Sequence, residues 1–139
     1  MKKASIVLVF LSIFLHSCNT KAQNTMKQSE FAETFITDFK AYEMDIQAAG
    51  IASIPVARLS EGKTLYIEYV YASGGENRNG KMTLMLNPKS KRFEGGWKTL
   101  ADNGNSYEGD MYFVFTADGQ ASGFYTFGGA DYKITIFKK

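Results

Sequence analysis

Carboxylates are the side chains in this sequence that could do acid–base chemistry. Five of them fall in or beside predicted strands: Glu68, Glu94, Glu108, Asp110 and Asp131. Two carboxylates that face each other across a pocket can act as a general acid and a nucleophile, as in glycoside hydrolysis. The predicted strand register brings no two of these acids to a defined separation inside a pocket. A carboxylate-based hydrolase is therefore the least favoured function, and we predict that the protein is not an enzyme.

The sequence offers little for nucleophilic catalysis or for metal binding. Its one histidine, His16, and its one cysteine, Cys18, both lie near the N-terminus. Without an imidazole or a thiol further along, the chain lacks Ser–His and Cys–His pairs and the usual zinc ligands. Segment 102–106 carries oxygen ligands but lacks the alternating acids and closing glutamate of a calcium loop. We predict no catalytic residue, no metal site and no cofactor.

One helix is predicted to support the rest of the molecule. Within residues 26–49, large apolar side chains recur every three or four residues: Phe31, Phe35, Phe39, Tyr42 and Ile46. This spacing lines up one face of an amphipathic helix, and Gly50 is a natural stop. The polar face is acidic and would be repelled by anionic lipid. The apolar stripe is therefore predicted to pack on a sheet.

Beyond a connector at residues 51–62, which holds Pro55, the apolar period changes from that of a helix to that of strands. Six strands are predicted, at residues 63–72, 81–87, 91–100, 106–116, 120–127 and 131–138. Short turns between them make neighbouring strands antiparallel. Gly95, Gly109 and Gly123 inside the strands predict bends that curve the sheet strongly. The predicted fold class is α+β, an N-terminal amphipathic helix packed on a curved six-stranded antiparallel meander, with a small β-barrel as the alternative.

Four aromatic side chains are the candidates for a binding site: Trp97, Tyr112, Tyr125 and Phe127. Turn centres at residues 103–104 and 118–119 fix the strand register, and that register places all four on the sheet face away from the helix. A solvent face would normally be polar, whereas Trp and Tyr are enriched where binding energy concentrates. We predict that these four bind a protein partner. Burial under residues 51–62 or inside a closed barrel is the alternative.

The same register assigns the opposite face of the sheet to the core. Its predicted members are Met82, Leu84, Leu86, Met111, Phe113, Phe115, Phe124, Ile134 and Ile136. The helix stripe is expected to cover this face, with Phe35 fully buried. Apolar burial must hold the domain together, because a chain with one cysteine forms no internal disulfide.

The N-terminus has the pattern of an export signal. Lys2 and Lys3 precede a mostly apolar run at residues 6–15, which has the size of a secretory h-region. A bilayer span needs ~20 apolar residues, so this run is too short to cross a membrane. The tetrapeptide Leu15-His16-Ser17-Cys18 resembles the bacterial lipobox, with an aliphatic residue three before the cysteine and a small residue just before it.

The resemblance implies a bacterial lipoprotein. Residues 1–17 would then be a signal peptide, Cys18 the lipid-bearing N-terminus, residues 18–25 a polar tether and residues 26–139 a single domain. Ordinary signal peptidase could instead cleave after Ala22 and discard Cys18, and both routes export the protein. Asn19 stands where an inner-membrane retention signal would carry Asp, so the resemblance favours the outer membrane, facing the periplasm.

Charge limits the partners. Residues 18–139 carry equal numbers of acidic and basic side chains, whereas a nucleic-acid binder normally shows a basic surplus gathered in a patch. We therefore predict no nucleic acid partner. The favoured function is a non-catalytic, lipid-anchored protein of the cell envelope that binds a protein partner, as an accessory subunit, inhibitor or immunity-type factor. The alternative is a lipocalin-like carrier of a small apolar ligand.

Overall fold

Eight consecutive segments of the chain form strands, along which more buried and more exposed positions largely alternate. The structure, a computed structural model, describes residues 26–139. A helix at residues 26–37 leads into a short 3-10 helix, Phe39–Ala41. The strands are β1 (Tyr42–Ile46), β2 (Gly50–Ser60), β3 (Thr64–Ser73), β4 (Glu76–Asn87), β5 (Arg92–Ala101), β6 (Ser106–Phe115), β7 (Ala121–Phe127) and β8 (Ala130–Lys138).

The sheet closes on itself. Each strand pairs antiparallel with the next, and β1 pairs with β8 to complete an eight-stranded barrel. The small β-barrel, the alternative architecture, is therefore confirmed, and the open six-stranded meander is wrong. The predicted signal peptide and tether lie outside the described residues. None of the helices within residues 26–139 combines the length and the apolar character that a bilayer span requires.

Strand β1 lies where the sequence predicts the second half of a helix. Tyr42 and Ile46 are four residues apart, a spacing that fits the helical period and is also a multiple of the strand period of two. The burial of Met44 distinguishes the two, because Met44 is fully buried while Glu43 and Asp45 on either side are not. This alternation has the period of a strand. The helix predicted over residues 26–49 is therefore wrong beyond residue 37.

Strand β2 takes the place of the predicted connector at residues 51–62. Pro55 argues against a strand because it has no N–H to donate. In the structure Pro55 lies where the β2–β3 register shifts, between Ser53 and Val56. A bulge leaves residues out of the hydrogen-bond ladder, so it accommodates proline. The strand continues through this irregularity and pairs with β3 on both sides of it.

Glycines allow the sheet to bend tightly enough to close. Gly95, Gly109 and Gly123 point into the barrel, and a Cβ at Gly123 would overlap the carbonyl oxygen of Tyr112 on the neighbouring strand. A Cβ at Gly95 would likewise overlap the carbonyl oxygen of Thr83. Such close approach of two strands requires glycine at the bend. The strong curvature predicted from these three glycines is confirmed.

One-residue register differences change which side chains face the core. The β6–β7 hairpin has a three-residue loop, residues 117–119, since Thr116 N–H donates to the Gln120 carbonyl at 2.8 Å. Its last residue, Gly119, has φ +78°, as expected for a three-residue loop that ends in a left-handed residue. Tyr125 therefore pairs with Met111 instead of Tyr112. The predicted β7 register is wrong by one residue, which exchanges the two faces of the strand.

The same change occurs at the β5–β6 hairpin. Ala101 N–H donates to the Asn105 carbonyl at 2.9 Å, and Gly104 in the three-residue loop has φ +87°. Trp97 consequently pairs with Gly109 and faces the barrel interior. Phe124, predicted in the core, is 44% exposed on the outer surface. The other predicted core residues face inward, with Leu86 partly buried.

The N-terminal helix closes one end of the barrel. Phe35 is fully buried and its ring centroid lies 5.3 Å from that of Tyr42 and 5.8 Å from that of Phe115. Gln28 bonds the backbone of Phe115 twice: its Nε2 donates to the carbonyl, and its Oε1 accepts from the N–H, both at 2.9 Å. The Tyr42 hydroxyl donates to the Asp118 carbonyl at 2.7 Å. These contacts hold the helix in place over this end of the barrel.

Candidate functional site

The end of the barrel opposite the helix contains a cavity of about 180 Å³. It lies between the turns that join β1 to β2, β3 to β4, β5 to β6 and β7 to β8. Seven of its fifteen lining residues are aromatic: Tyr69, Tyr71, Trp97, Tyr107, Tyr125, Phe127 and Tyr132. This aromatic cavity is more enclosed than the two larger grooves around Val70 and around Gln47.

The aromatic rings around the cavity pack against one another in edge-to-face, tilted and stacked pairs. The Trp97 ring centroid lies 5.6 Å from that of Tyr125, with the two planes at 87°, and 6.0 Å from that of Phe127. Tyr107 and Phe127 are 5.6 Å apart at 83°. Edge-to-face contacts at these distances are favourable because ring edges and ring faces carry opposite partial charges. The wall is therefore a self-supporting arrangement of rings.

Hydrogen bonds fix three of these rings in place. The Tyr69 and Thr99 hydroxyls are 2.7 Å apart, and the Trp97 Nε1–H donates to the Thr126 carbonyl at 3.2 Å. The Tyr125 hydroxyl donates to the Gln47 carbonyl at 2.5 Å. Burial raises the pKa of Tyr69 to about 12 and also raises that of Tyr125. Both phenols are therefore neutral at physiological pH.

Arg78 gives the aromatic cavity its one formal charge among the residues that the structure describes. It lies on β4 opposite Tyr71, and its Cζ is 5.4 Å from the centroid of the Tyr107 ring. The neighbouring Tyr71 hydroxyl is the main cause that raises the pKa of Arg78. The guanidinium is thus a permanent positive charge at a largely apolar site.

The structure brings together three of the four predicted site residues. Trp97 and Tyr125 are each 9% exposed inside the barrel, and Phe127 lies beside them at the mouth. Tyr112 lies on the outer surface, where the Cζ of Arg92 is 3.9 Å from its ring centroid. The prediction that all four share one face is wrong because of the two register changes. Their part in protein binding stays a prediction.

Sequence reasoning missed more than half of the site. Tyr69, Tyr71, Tyr107, Tyr132 and Arg78 line the cavity but were not candidates. A sequence signal exists for Tyr69 and Tyr71, because apolar or aromatic residues stand at every second position of β3 from Leu65 to Tyr71. The structure buries all of these positions. Barrel closure turns these positions inward toward Trp97, and closure depends on β1 and β2.

The five acids considered for catalysis lie apart from the aromatic cavity, and none of them lines it. Glu94 accepts hydrogen bonds from Arg92 and Asn87 on the outer surface, and Arg92 is the first cause that lowers the pKa of Glu94 to about 2. Glu68 accepts a hydrogen bond from the Tyr66 hydroxyl at 2.8 Å. Within residues 26–139 no cluster of three His, Cys, Asp or Glu side chains could hold a metal ion.

Comparison with known proteins adds no constraint on function. A scan against protein-family models and searches of curated proteins and of solved structures returned no match for the chain. The shape and chemistry of the aromatic cavity therefore carry the argument about function.

Proposed function

We propose that the protein binds a small, largely apolar ligand in the aromatic cavity, in the manner of a lipocalin-like carrier. The observation that carries the proposal is the barrel with one end closed by a helix and an aromatic cavity at the other. An eight-stranded barrel is just wide enough to hold one small ligand, and up-and-down barrels of this size include the lipocalins. The likeness is one of architecture, so the cavity itself must supply the argument.

The chemistry of the wall favours an apolar guest. Burial of apolar surface contributes roughly 25 cal/mol per Å², and the rings offer large, rigid contact surfaces. Tyr69, Trp97 and Tyr125 use their polar atoms in hydrogen bonds within the protein. These three side chains therefore present ring faces and edges to the cavity. A ligand that matches them gains contact without leaving these polar groups unpaired.

Trp97 provides a direct test. It is the one tryptophan of the chain, and it lines the aromatic cavity, so its emission reports on a bound ligand. Titration with p-cresol, a neutral single-ring probe, is expected to change Trp97 fluorescence saturably. It should also raise the melting temperature, since a ligand at ten times its Kd stabilises the folded state by about 1.4 kcal/mol. Absence of both effects would contradict a ring-sized binding site.

A matched pair of variants separates the cavity from the outer surface. Ala49 is partly buried and lines the cavity, so Ala49→Phe should fill part of it and weaken p-cresol binding. Ala72 lies on β3 at the same end of the barrel but is exposed. Ala72→Phe adds the same ring outside and should leave binding unchanged. Equal binding by the two variants would mean that the probe binds elsewhere.

A protein partner is the second candidate, favoured by apolar groups on the outer surface of β6 and β7. Tyr112 and Phe124 lie 6.1 Å apart there, and Val114 is 38% exposed nearby. Tyr112→Ala should then remove a partner in a pull-down without lowering the melting temperature, whereas p-cresol binding should persist. Loss of stability instead would make Tyr112 a structural residue.

Anchoring in the cell envelope through Cys18 belongs to the same proposal. It is supported by the apolar run at residues 6–15 and the lipobox-like tetrapeptide at residues 15–18. Cys18→Ala should abolish labelling by a fatty-acid analogue and move the protein from the membrane to the soluble fraction. A mature N-terminus at Gln23, measured by mass spectrometry, would contradict lipidation and favour cleavage after Ala22.

A further inference from the structure

The guanidinium of Arg78 lies at the aromatic cavity without a full set of partners. Its neighbours across β3 and β5 are Tyr71 and Ala101, which are both buried and face the barrel interior. The ring of Tyr107 lies near its Cζ. The Nε atom is buried, and no group within residues 26–139 accepts a hydrogen bond from it. A buried N–H of a charged group that has no acceptor lowers the stability of the folded state, because its lost hydration is not replaced.

Arg78 has no ion-pair partner among the residues that the structure describes, and none of their acids lines the cavity. Glu76, two residues earlier on β4, is the last and weakest of the causes that raise the pKa of Arg78. A guanidinium keeps its charge at all physiological pH values. The site therefore presents a permanent positive charge at the edge of an aromatic wall.

Size sets a second constraint. The cavity measures about 180 Å³, and an apolar cavity of roughly 150 Å³ is known to accommodate benzene. One aromatic ring or a compact branched chain fits this space, whereas the tail of a long-chain fatty acid exceeds it. The ring-lined wall matches a planar guest in edge-to-face or offset contacts.

From these observations we propose that the ligand is a small monocarboxylate with a body about the size of one aromatic ring. The body fills the aromatic cavity, and the carboxylate pairs with the Arg78 guanidinium. The planar fork of a guanidinium matches the two oxygens of a carboxylate, and one cation matches a single negative charge. This inference rests on the proposed function and adds the chemical class of the ligand.

Two probes of nearly equal size and shape test the inference on the unmodified protein. Phenylacetate carries a carboxylate, and phenylacetamide replaces it with a neutral amide. The Kd of phenylacetate, measured by calorimetry and Trp97 fluorescence, should be ~10- to 100-fold lower than that of phenylacetamide. This is the range expected for a charge-assisted hydrogen bond. Phenylacetate binding should also weaken as the pH falls and the acid becomes protonated, whereas phenylacetamide binding should not change. Equal affinity for the two probes would overturn the inference.

A matched pair of variants assigns the preference to Arg78. Arg78→Gln removes the positive charge at the cavity and should abolish the preference for phenylacetate. Lys81→Gln removes one positive charge from the same strand on its exposed outer side and should leave the preference intact. A preference that survives Arg78→Gln would overturn the inference. If Arg78→Gln does not fold, the pH dependence of phenylacetate binding to the unmodified protein decides the matter.

The outcomes distinguish this inference from the proposed function. Saturable binding of p-cresol together with equal affinities for phenylacetate and phenylacetamide would keep the apolar carrier and reject the carboxylate. Failure of p-cresol, phenylacetate and phenylacetamide alike would reject a ring-sized ligand site altogether. Preferential binding of phenylacetate that depends on Arg78 supports both.

Discussion

The two ends of the barrel share the same eight strands but differ in how their interior is filled. At the helix end, Phe35 fills the space between strands, and Gln28 satisfies both backbone groups of Phe115. At the other end, the rings form a wall around a cavity, and the Arg78 Nε has no partner within residues 26–139. The helix end therefore has a packed interior with paired polar groups. The other end retains a cavity and an unpaired donor, as a ligand-binding site does.

This difference shows how a small barrel divides stability from function. Well-packed, hydrogen-bonded groups resist opening, whereas groups that bind ligands come from less stable regions. A marginally stable domain of this size has about 5–15 kcal/mol of total stability. The helix end is expected to contribute a large share of it. Substitutions at that end should lower stability, and substitutions at the cavity should lower binding first.

The largest effect is expected from Phe35→Ala. The side chain is fully buried between Tyr42 and Phe115, so truncation leaves a cavity and should cost ~3–5 kcal/mol of unfolding free energy. Chemical denaturation measures this directly, and a drop in the denaturation midpoint at unchanged slope is expected. Near-unchanged stability would mean that the helix does not hold the barrel closed, and the comparison between the two ends would fail.

Gln28→Ala should have the next largest effect. It leaves the N–H and the carbonyl of Phe115 without their side-chain partner, at a cost of ~1–3 kcal/mol for each buried group that stays unpaired. Gln28→Glu sharpens the test, because a protonated carboxyl can donate to the carbonyl and an ionised one cannot. The folded state then favours the protonated acid, whose pKa is raised. Relative to the unmodified protein, this variant should lose stability as the pH rises above ~4.

The end of the barrel that contains the aromatic cavity is expected to lose stability first at high pH. Burial raises the pKa of Tyr69 to about 12, above the unfolded value of ~10. A raised folded pKa gives stability that is complete below pH ~10 and is lost as the pH rises through 12, up to about 2–3 kcal/mol. Tyr69→Phe should cost ~1 kcal/mol at pH 7, through the lost Thr99 hydrogen bond. Its deficit should shrink or reverse near pH 12, as measured by denaturation; a constant deficit would contradict buried ionisation.

Much of the fold could be predicted from the sequence, since strand periodicity and glycines act locally. The last six strands and the strong curvature of the sheet follow from residues such as Gly95 and Gly123. Closure of the barrel could not be predicted in the same way. The apolar residues of β1 also fit the period of a helix, and β2 contains Pro55, which argues against a strand. Without those two strands, an open meander is the natural conclusion.

The candidate site was harder to predict because it depends on register. The difference between a two-residue and a three-residue loop at Gly104 and Gly119 moves the following pairing by one residue. That single step brings Trp97 and Tyr125 into the barrel and sends Phe124 out. Asp-Gly and Asn-Gly are read as two-residue turns by composition. Twist and packing against the helix, where Gly119 approaches Phe35, decide the longer loop.

Of the alanine substitutions at the two barrel ends, Phe127→Ala is expected to have the smallest effect on stability; it is the counterpart of Phe35→Ala at the end with the aromatic cavity. Phe127 is 43% exposed and contacts Trp97 and Tyr107 at the mouth. Its loss removes two aromatic pairs worth ~0.5–1.5 kcal/mol each, so it should cost ~1–3 kcal/mol of unfolding free energy. It should also weaken binding of phenylacetate ~5- to 30-fold by calorimetry, or about 1–2 kcal/mol. Phe124→Ala is the control, since Phe124 is 44% exposed on the outer side of the same strand. Equal loss of affinity in both variants would place the ligand outside the barrel and remove the functional contrast between its two ends.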